Sequence, residues 1–343
     1  MFSHCLFQAL CGQHSGQMMH MIFSIPFSAG CTDLITKNRQ SDTVINEMIS
    51  KSFPLKTAAS IKELTEGMCN VTYDITFSDG DECILKIAAK DRTGNTSNEI
   101  RLMDAEVTAM KLVRENCSFK VADVLVYDCS GTICDGDYFF MEKLPGSNYS
   151  FIKDNLPEET NRKIAREIGC ISRQLCSITN PQFGFLGDTV RYDSLSGFVR
   201  KMLANLISDA HKKKVDLCCD TDKLLKCFEE EKHIFDEVSF ATLVHWDMWE
   251  GNVFVDGDHV SGIIDWERAI WGEAFMDDRF RKHNLNKDFL EGFGKQDFTE
   301  NELKRLRWYD IILYMTMMVE VFYREFEDKG QYYWSRDQLL SVI

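Results

Sequence analysis

Three oxygen-bearing side chains stand at spacings suited to phosphoryl transfer in Leu243-Val-His-Trp-Asp-Met-Trp-Glu-Gly-Asn252 and the later Ile263-Ile-Asp-Trp-Glu267. Asp247 and Asn252 lie five residues apart, the separation between proton acceptor and metal ligand in catalytic loops of the form H-R-D-L-x-x-x-N. Asp265 follows a short hairpin, where a second metal-binding carboxylate belongs. A transferred phosphoryl group spreads negative charge, so its catalysis rests on positioning and on neutralisation by metal and cations. Asp247 would accept or orient the proton of an attacking hydroxyl, while Asn252 and Asp265 would offer Mg2+ hard oxygen ligands. Each residue alone is ordinary turn chemistry, and only the joint spacing carries the reading. His245 has no second histidine close in sequence and reads as a backbone brace rather than a metal ligand.

Particular elements must bring these groups together. Val253-Phe-Val and Val260-Ser-Gly-Ile-Ile, joined through Asp256-Gly257, form a hairpin that carries Asp265 back towards Asn252. Upstream, Leu64-Thr-Glu-Gly-Met-Cys-Asn-Val71 is a turn between alternating strands, placed to cover phosphates. The strand Val71–Phe77 runs through Asp79-Gly80 into Glu82-Cys-Ile-Leu-Lys-Ile-Ala, so Lys86 alternates with Leu85 and Ile87 and can face a cleft. Residues 98–115 carry apolar positions at helical spacing, with Thr96, Ser97 or Asn98 as cap. Glu106, in the middle of that helix, is preferred to Glu99 in its first turn as the partner of Lys86. Val121–Tyr127 and Tyr138–Leu144 read as strands that end at Pro145-Gly146, where a backbone edge would receive adenine. Helices over 157–178, 194–214, 221–238 and 301–327 make up most of the remainder.

The chain resembles the aminoglycoside phosphotransferase and choline kinase-like family of protein-kinase-like small-molecule kinases. The resemblance runs from about Ile45 to Tyr323 and rests on Glu66-Gly-Met-Cys-Asn70, Ile84-Leu-Lys86, Tyr138-Phe-Phe-Met-Glu-Lys-Leu-Pro-Gly146, Phe183-Gly-Phe-Leu-Gly187, His245-x-Asp247-x4-Asn252 and Ile263-Ile-Asp-Trp-Glu267. It implies an α+β, bilobal protein-kinase-like fold. A small antiparallel sheet with one main helix would form the nucleotide-binding lobe over 37–144, and a larger, mostly helical lobe over 145–343 would hold catalysis and acceptor. It further implies ATP, or GTP, with Mg2+ between the lobes, Gly67 and Asn70 in the phosphate loop, adenine on the backbone of Glu142 and Leu144, and Asp247 as base. Asn252 and Asp265 would hold metal. Glu267 is a second-rank metal candidate, equally readable as a structural acid paired with Arg268 or a buried amide.

This sequence departs from the family at Trp246, where many relatives have Gly. Trp246, Trp249 and Trp271 could shape an acceptor pocket through aromatic faces, although large aromatics are more often core. The helix after the metal strand usually forms the acceptor wall in this family, which places substrate identity at Tyr309, Tyr314, Glu320, Tyr323 and Arg324.

Composition bounds the partners. A net charge of −15 over 343 residues argues against nucleic acid and favours a cationic or neutral, sugar-like small-molecule acceptor. Glu273, Asp277, Asp278, Glu320 and Glu325 could line a site for an amine, but solvated helix faces explain them more simply. Thirteen scattered cysteines without a Cys-x-x-Cys pair fit reduced thiols in a cytoplasm. No segment is apolar for long enough to span a membrane. Residues 1–36, without Lys or Arg, read as a disordered or atypical extension. The oligomeric state is open. Two competing readings remain. A protein kinase would need the Asp-Phe-Gly and Ala-Pro-Glu signatures that this chain lacks. A non-catalytic nucleotide sensor would have no use for a base at Asp247.

Overall fold

The computed structural model describes residues 37–65, 70–91 and 93–343; the extension and Gly67 lie outside the described residues. The small sheet grows from strict alternation in β2 (Val71–Phe77), whose Val71, Tyr73, Ile75 and Phe77 point inward and whose intervening polar residues are half-buried. The turn at Gly80, with φ of +92°, a conformation that glycine adopts without strain, returns the chain into β3 (Glu82–Ile87). With β1 (Ala58–Leu64), β4 (Val124–Asp128) and β5 (Tyr138–Met141) these strands form an antiparallel sheet in the order β1-β2-β3-β5-β4. Ile45, Met48 and Ile49 of α1 (Asp42–Ser52) join the inward side chains of β2 and β3 in one apolar core.

The main small-lobe helix, α2, spans Leu102–Asn116 and so starts four residues later than the expected 98. The correction has a physical cause. Ser97 and Asn98 do not cap it, because their side chains bond to Asp209 and the Met202 carbonyl instead, and Arg101 takes the N-cap position without a side-chain bond. Met103, Val107, Met110 and Val113 belong to the larger lobe's core, so α2 is packed as much by that lobe as by the sheet.

Past Gly146, whose Cβ would lie 2.2 Å from the Val255 carbonyl oxygen, the chain enters the larger lobe. Strand β6 (Ser147–Asn148) pairs with β10 (Val253–Asp256), which pairs with β11 (His259–Ile263) as expected of the hairpin. A second small sheet orders β7 (Thr179–Asn180), β9 (Ala241–Val244), β12 (Ile270–Gly272) and β8 (Gly184–Phe185). Besides a single turn at Tyr149–Ile152, the helices described in this lobe are α3 (Glu158–Leu175), α4 (Leu195–Lys213), α5 (Thr221–Glu231), α6 (Lys287–Phe293), α7 (Glu300–Tyr323) and α8 (Gly330–Leu340). The helix expected to reach 238 stops at Glu231 and continues as a 3-10 turn over Lys232–Glu237. Helix α7 opens with a Thr299/Glu302 capping box and is buried around nearly its whole circumference, as befits a helix at the centre of a lobe.

Helices α3 and α6 cross at backbone contact. A Cβ on Gly169 would stand 2.1 Å from the Phe289 carbonyl oxygen, and one on Gly292 would stand 2.0 Å from that of Arg166. Gly169→Ala should therefore destabilise the protein by about 2 kcal/mol through forced separation of the helices. Urea unfolding with an unchanged midpoint would show that the crossing yields freely.

Candidate active site

The site is built on strand ends. Lys86, near the end of β3, is buried, and its ammonium donates to Glu106 Oε2 of α2 at 2.7 Å and to Asp265 Oδ1 at 2.6 Å. Glu267 Oε2 lies 3.7 Å from the same nitrogen. The residue preferred from helix position is thus the one that meets Lys86, while Glu99 stands ahead of α2 and pairs with Arg268 and Arg324. Burial opposes the charge on Lys86, but Asp265, Glu106 and Glu267 overcome it and hold its pKa raised. Burial pushes the Glu106 carboxyl up; Lys86 opposes the rise, and the acids Asp265 and Glu267 add to it. Asp265 is pushed up by burial and pulled down further by Lys86, so that its pKa is lowered overall.

Asp265 sits just past β11 in the left-handed region, φ +65°, and opens a single 3-10 turn, Trp266–Arg268. Carboxylate oxygens of Glu106, Asp265 and Glu267 lie within 4.8 Å of one another. Three acids face one ammonium here, and an all-oxygen donor set with surplus negative charge fits Mg2+. Glu267 also accepts from the Asn70 side-chain amide at 2.6 Å, so the buried-amide reading of this acid describes its contacts. Asn70 in turn receives the Lys37 ammonium on its carbonyl at 2.7 Å.

The loop after β9 carries Asp247. Asn252 Nδ2 donates to the Asp247 carbonyl at 2.8 Å and lies 3.5 Å from its Oδ2, while the Ile264 N–H donates to the Asn252 carbonyl at 3.0 Å. The loop is thereby tied to the strand that delivers Asp265. The Asp247 side chain remains 36% exposed, so it lies deep in the cleft yet within reach of solvent. That depth raises its pKa well above the ordinary carboxylate value; Arg268 opposes the rise, and Asp265, Asp278 and Glu320 add to it. Trp246 has a φ of +68°, a conformation that favours glycine, and its N–H donates to Asp277 Oδ2 at 2.9 Å. His245 braces the same loop: Nδ1 accepts from the Asp247 N–H at 3.2 Å and Nε2 meets the Ile264 carbonyl at 2.9 Å. These bonds define a neutral ring protonated on Nε2.

At the junction of the lobes, the Glu142 N–H donates to the Asp123 carbonyl and its carboxylate pairs with Lys120. Any adenine contact on this segment falls to the Glu142 carbonyl and to Leu144, whose side chain lies over Gly262, where a Cβ would approach within 2.6 Å.

The residues expected at the acceptor side have internal partners or lie in the core. Glu320 is buried and bonded to Arg268 at 2.6 Å, because a carboxylate inside a lobe takes a cationic partner. Trp246 and Trp271 are part of the core, and Trp249, half-buried, lies against Gly251. Tyr309 donates to Glu273, Tyr323 to Asp209, and Tyr314 lies beside His283. Of the acids read as solvated, Glu273, Asp277, Asp278 and Glu320 are buried or nearly so, and only Glu325 is exposed. Lys37 goes unrecognised in the sequence as part of the site, while Arg268 reads there only as a pairing partner of Glu267 and Asp277 only as one of several acids. The left-handed backbone of Trp246, beside Asp247, is what gives Asp277 its bonding role, and the sequence does not display it.

The phosphotransferase enzyme family model matches residues 60–277. No curated protein matches the sequence. Among solved structures, a thermostable mutant of the aminoglycoside phosphotransferase APH(4)-Ia, in ternary complex with AMP-PNP and hygromycin B, is 15% identical with a TM-score of 0.62, covering 87% of this chain and 97% of that one. The streptomycin–ATP complex of APH(2")-IIa is 15% identical with a TM-score of 0.56, covering 88% and 97%. A putative aminoglycoside phosphotransferase from Ralstonia eutropha JMP134 is 10% identical with a TM-score of 0.58, covering 89% and 96%. At such identities the likeness establishes the bilobal kinase-like fold.

Burial depresses the His245 pKa to about 4 from its ordinary 6.5. As pH falls through that window the unfolded chain takes up a proton that the buried ring refuses, so stability declines by up to about 3 kcal/mol, and above it the ring is neutral in both states. His245→Gln should flatten this decline in urea titrations at about pH 5 and about pH 7. An unaltered slope in the variant would assign the loss to other groups.

Proposed function

The chain belongs to the phosphotransferase enzyme family, and from that membership and the geometry of the cleft we propose that it transfers the γ-phosphoryl group of ATP to a hydroxyl of a small molecule. The observation that carries the reading is the convergence of Lys86 with Glu106 and Asp265, residues 20 and 179 positions away in sequence, at 2.7 and 2.6 Å. A pure binding module has no need of Asp247 beside that cluster, tied through Asn252 to the strand that supplies Asp265.

Lys86, oriented by Glu106, would hold the α and β phosphates. Asn252 and Asp265, with Glu267 behind them, would hold Mg2+, which when bound neutralises phosphate charge and fixes the triphosphate for in-line transfer. Asp247 would orient the acceptor hydroxyl and take its proton as the new P–O bond forms. The depth that raises its pKa makes its ionised form a better proton acceptor.

The acids around Asp247 favour an acceptor with amine groups. Complexes of the same fold with hygromycin B and streptomycin support a polyhydroxylated, cationic molecule. The nine described cysteines are all free thiols, which supports a cytoplasmic setting.

Asp247→Ala should lower acceptor-dependent transfer by about 10²–10⁴-fold while Mg-ATP affinity, read by calorimetry, stays close to wild type. Labelled ATP with pools of sugars, amino alcohols and aminoglycosides gives the readout, and chelation of Mg2+ should stop transfer until Mg2+ is restored. Normal turnover by the variant would remove Asp247 from the proposed role.

A further inference from the structure

Among its contacts with described residues, Arg268 bonds to Glu320 and Glu99 and stays farther from Asp247. Its Nη2 donates to Glu320 Oε1 at 2.6 Å and to Glu99 Oε1 at 3.2 Å, whereas its Nε stays 4.0 Å from Asp247 Oδ2. Arg324 completes the set, donating to Glu99 Oε1 at 2.6 Å and lying 3.7 Å from Glu320 Oε2. Among the described residues, two acids and two arginines thus alternate in one buried group. Glu99 is fixed from its own side as well, since its Oε2 accepts the Thr96 N–H at 2.8 Å. The segment that carries Glu99 is docked on α4, where the Ser97 N–H and hydroxyl both donate to Asp209 at 2.6 Å.

An arginine beside a carboxylate in a poorly hydrated site ordinarily closes to a short, often bidentate pair. A base gripped in that way would offer its oxygens to the guanidinium and not to an acceptor hydroxyl. We propose that Glu99, from the small lobe, and Glu320, from α7, hold Arg268 back from Asp247, so that Asp247 remains available to the acceptor. The inference rests on the reading of Asp247 as proton acceptor. Arg268 is then a positioning residue: near enough to favour the ionised base, too far to occupy it. The arrangement also makes base availability depend on lobe docking, because Glu99 reaches Arg268 only while the strand-to-helix segment sits on α4.

Glu99→Gln keeps the shape of the side chain but weakens its hold on Arg268. The variant should show turnover of Mg-ATP, with water as acceptor, lowered by about tenfold at unchanged Mg-ATP affinity. Two double variants separate release of Arg268 from mere loss of charge balance, since each removes one cation. Glu99→Gln with Arg268→Gln should recover most of the lost turnover. Glu99→Gln with Arg324→Gln, equally balanced, should not. Equal recovery in both, or in neither, would overturn the proposal. A crystal structure of Glu99→Gln gives a reading independent of activity: the guanidinium should close to about 3 Å from the Asp247 carboxylate, and a separation still at 4.0 Å would overturn it. Absence of turnover in the wild type would instead count against the phosphotransferase reading.

Discussion

Three carboxylates share one buried ammonium, and the rest of the structure is arranged to keep them there. A lysine removed from water is stable as a cation only when paired, and Lys86 is paired with Glu106 and Asp265, with Glu267 close behind. Each partner comes from a different element, so the group fixes β3, α2 and the end of β11 relative to one another. It is also unbalanced. One ammonium among three acids leaves a deficit of the kind that the divalent cation of the proposed function would fill.

Holding Asp247 and Asp265 at this point requires backbone that ordinary residues avoid. Trp246 and Asp265 both adopt left-handed conformations, each costing about 1–2 kcal/mol for a residue with a Cβ. Bonds at both positions offset that strain. Asp277 accepts the Trp246 N–H, Lys86 grips Asp265, and His245 joins the two segments through the Ile264 carbonyl. The imidazole must stay neutral to do so, because its Nδ1 serves as an acceptor. Strain, brace and ion pairs together determine where Asp247 can be.

Much of this was legible because it is local. The separation of Asp247 from Asn252, the hairpin leading to Asp265, the alternation around Lys86 and the helical phase of Glu106 are all short-range patterns, and the structure brings these residues into one cleft. Long-range electrostatics left no such trace. Thr96, Ser97 and Asn98 look like caps, yet Ser97 and Asn98 bond to α4 across more than a hundred residues, which moves the start of α2 to Leu102. Glu99 meets Arg324 across 225 positions. Asp277, Asp278 and Glu320 read as solvated because a sequence shows a charge without showing its partner. The distal end of α5 erred for a different reason: apolar spacing persists beyond Glu231, but the backbone tightens to 3-10 geometry there, and periodicity alone does not separate the two.

The same buried pairs constrain how an acceptor can be recognised. Glu320 of α7 and Arg324 at its C-cap are engaged with Arg268 and Glu99, Tyr309 with Glu273, and Tyr323 with Asp209. Direct recognition by these side chains would first break an internal bond, at about 1–3 kcal/mol for each polar group left unsatisfied. The field of the acids needs no such rearrangement. Asp265, Asp278 and Glu320 act on Asp247 against Arg268, a balance that favours positive charge beside it. Selection by field discriminates charge more than shape and weakens as salt rises. Under the proposed function, such a site would admit cationic acceptors as a class before it distinguished among them.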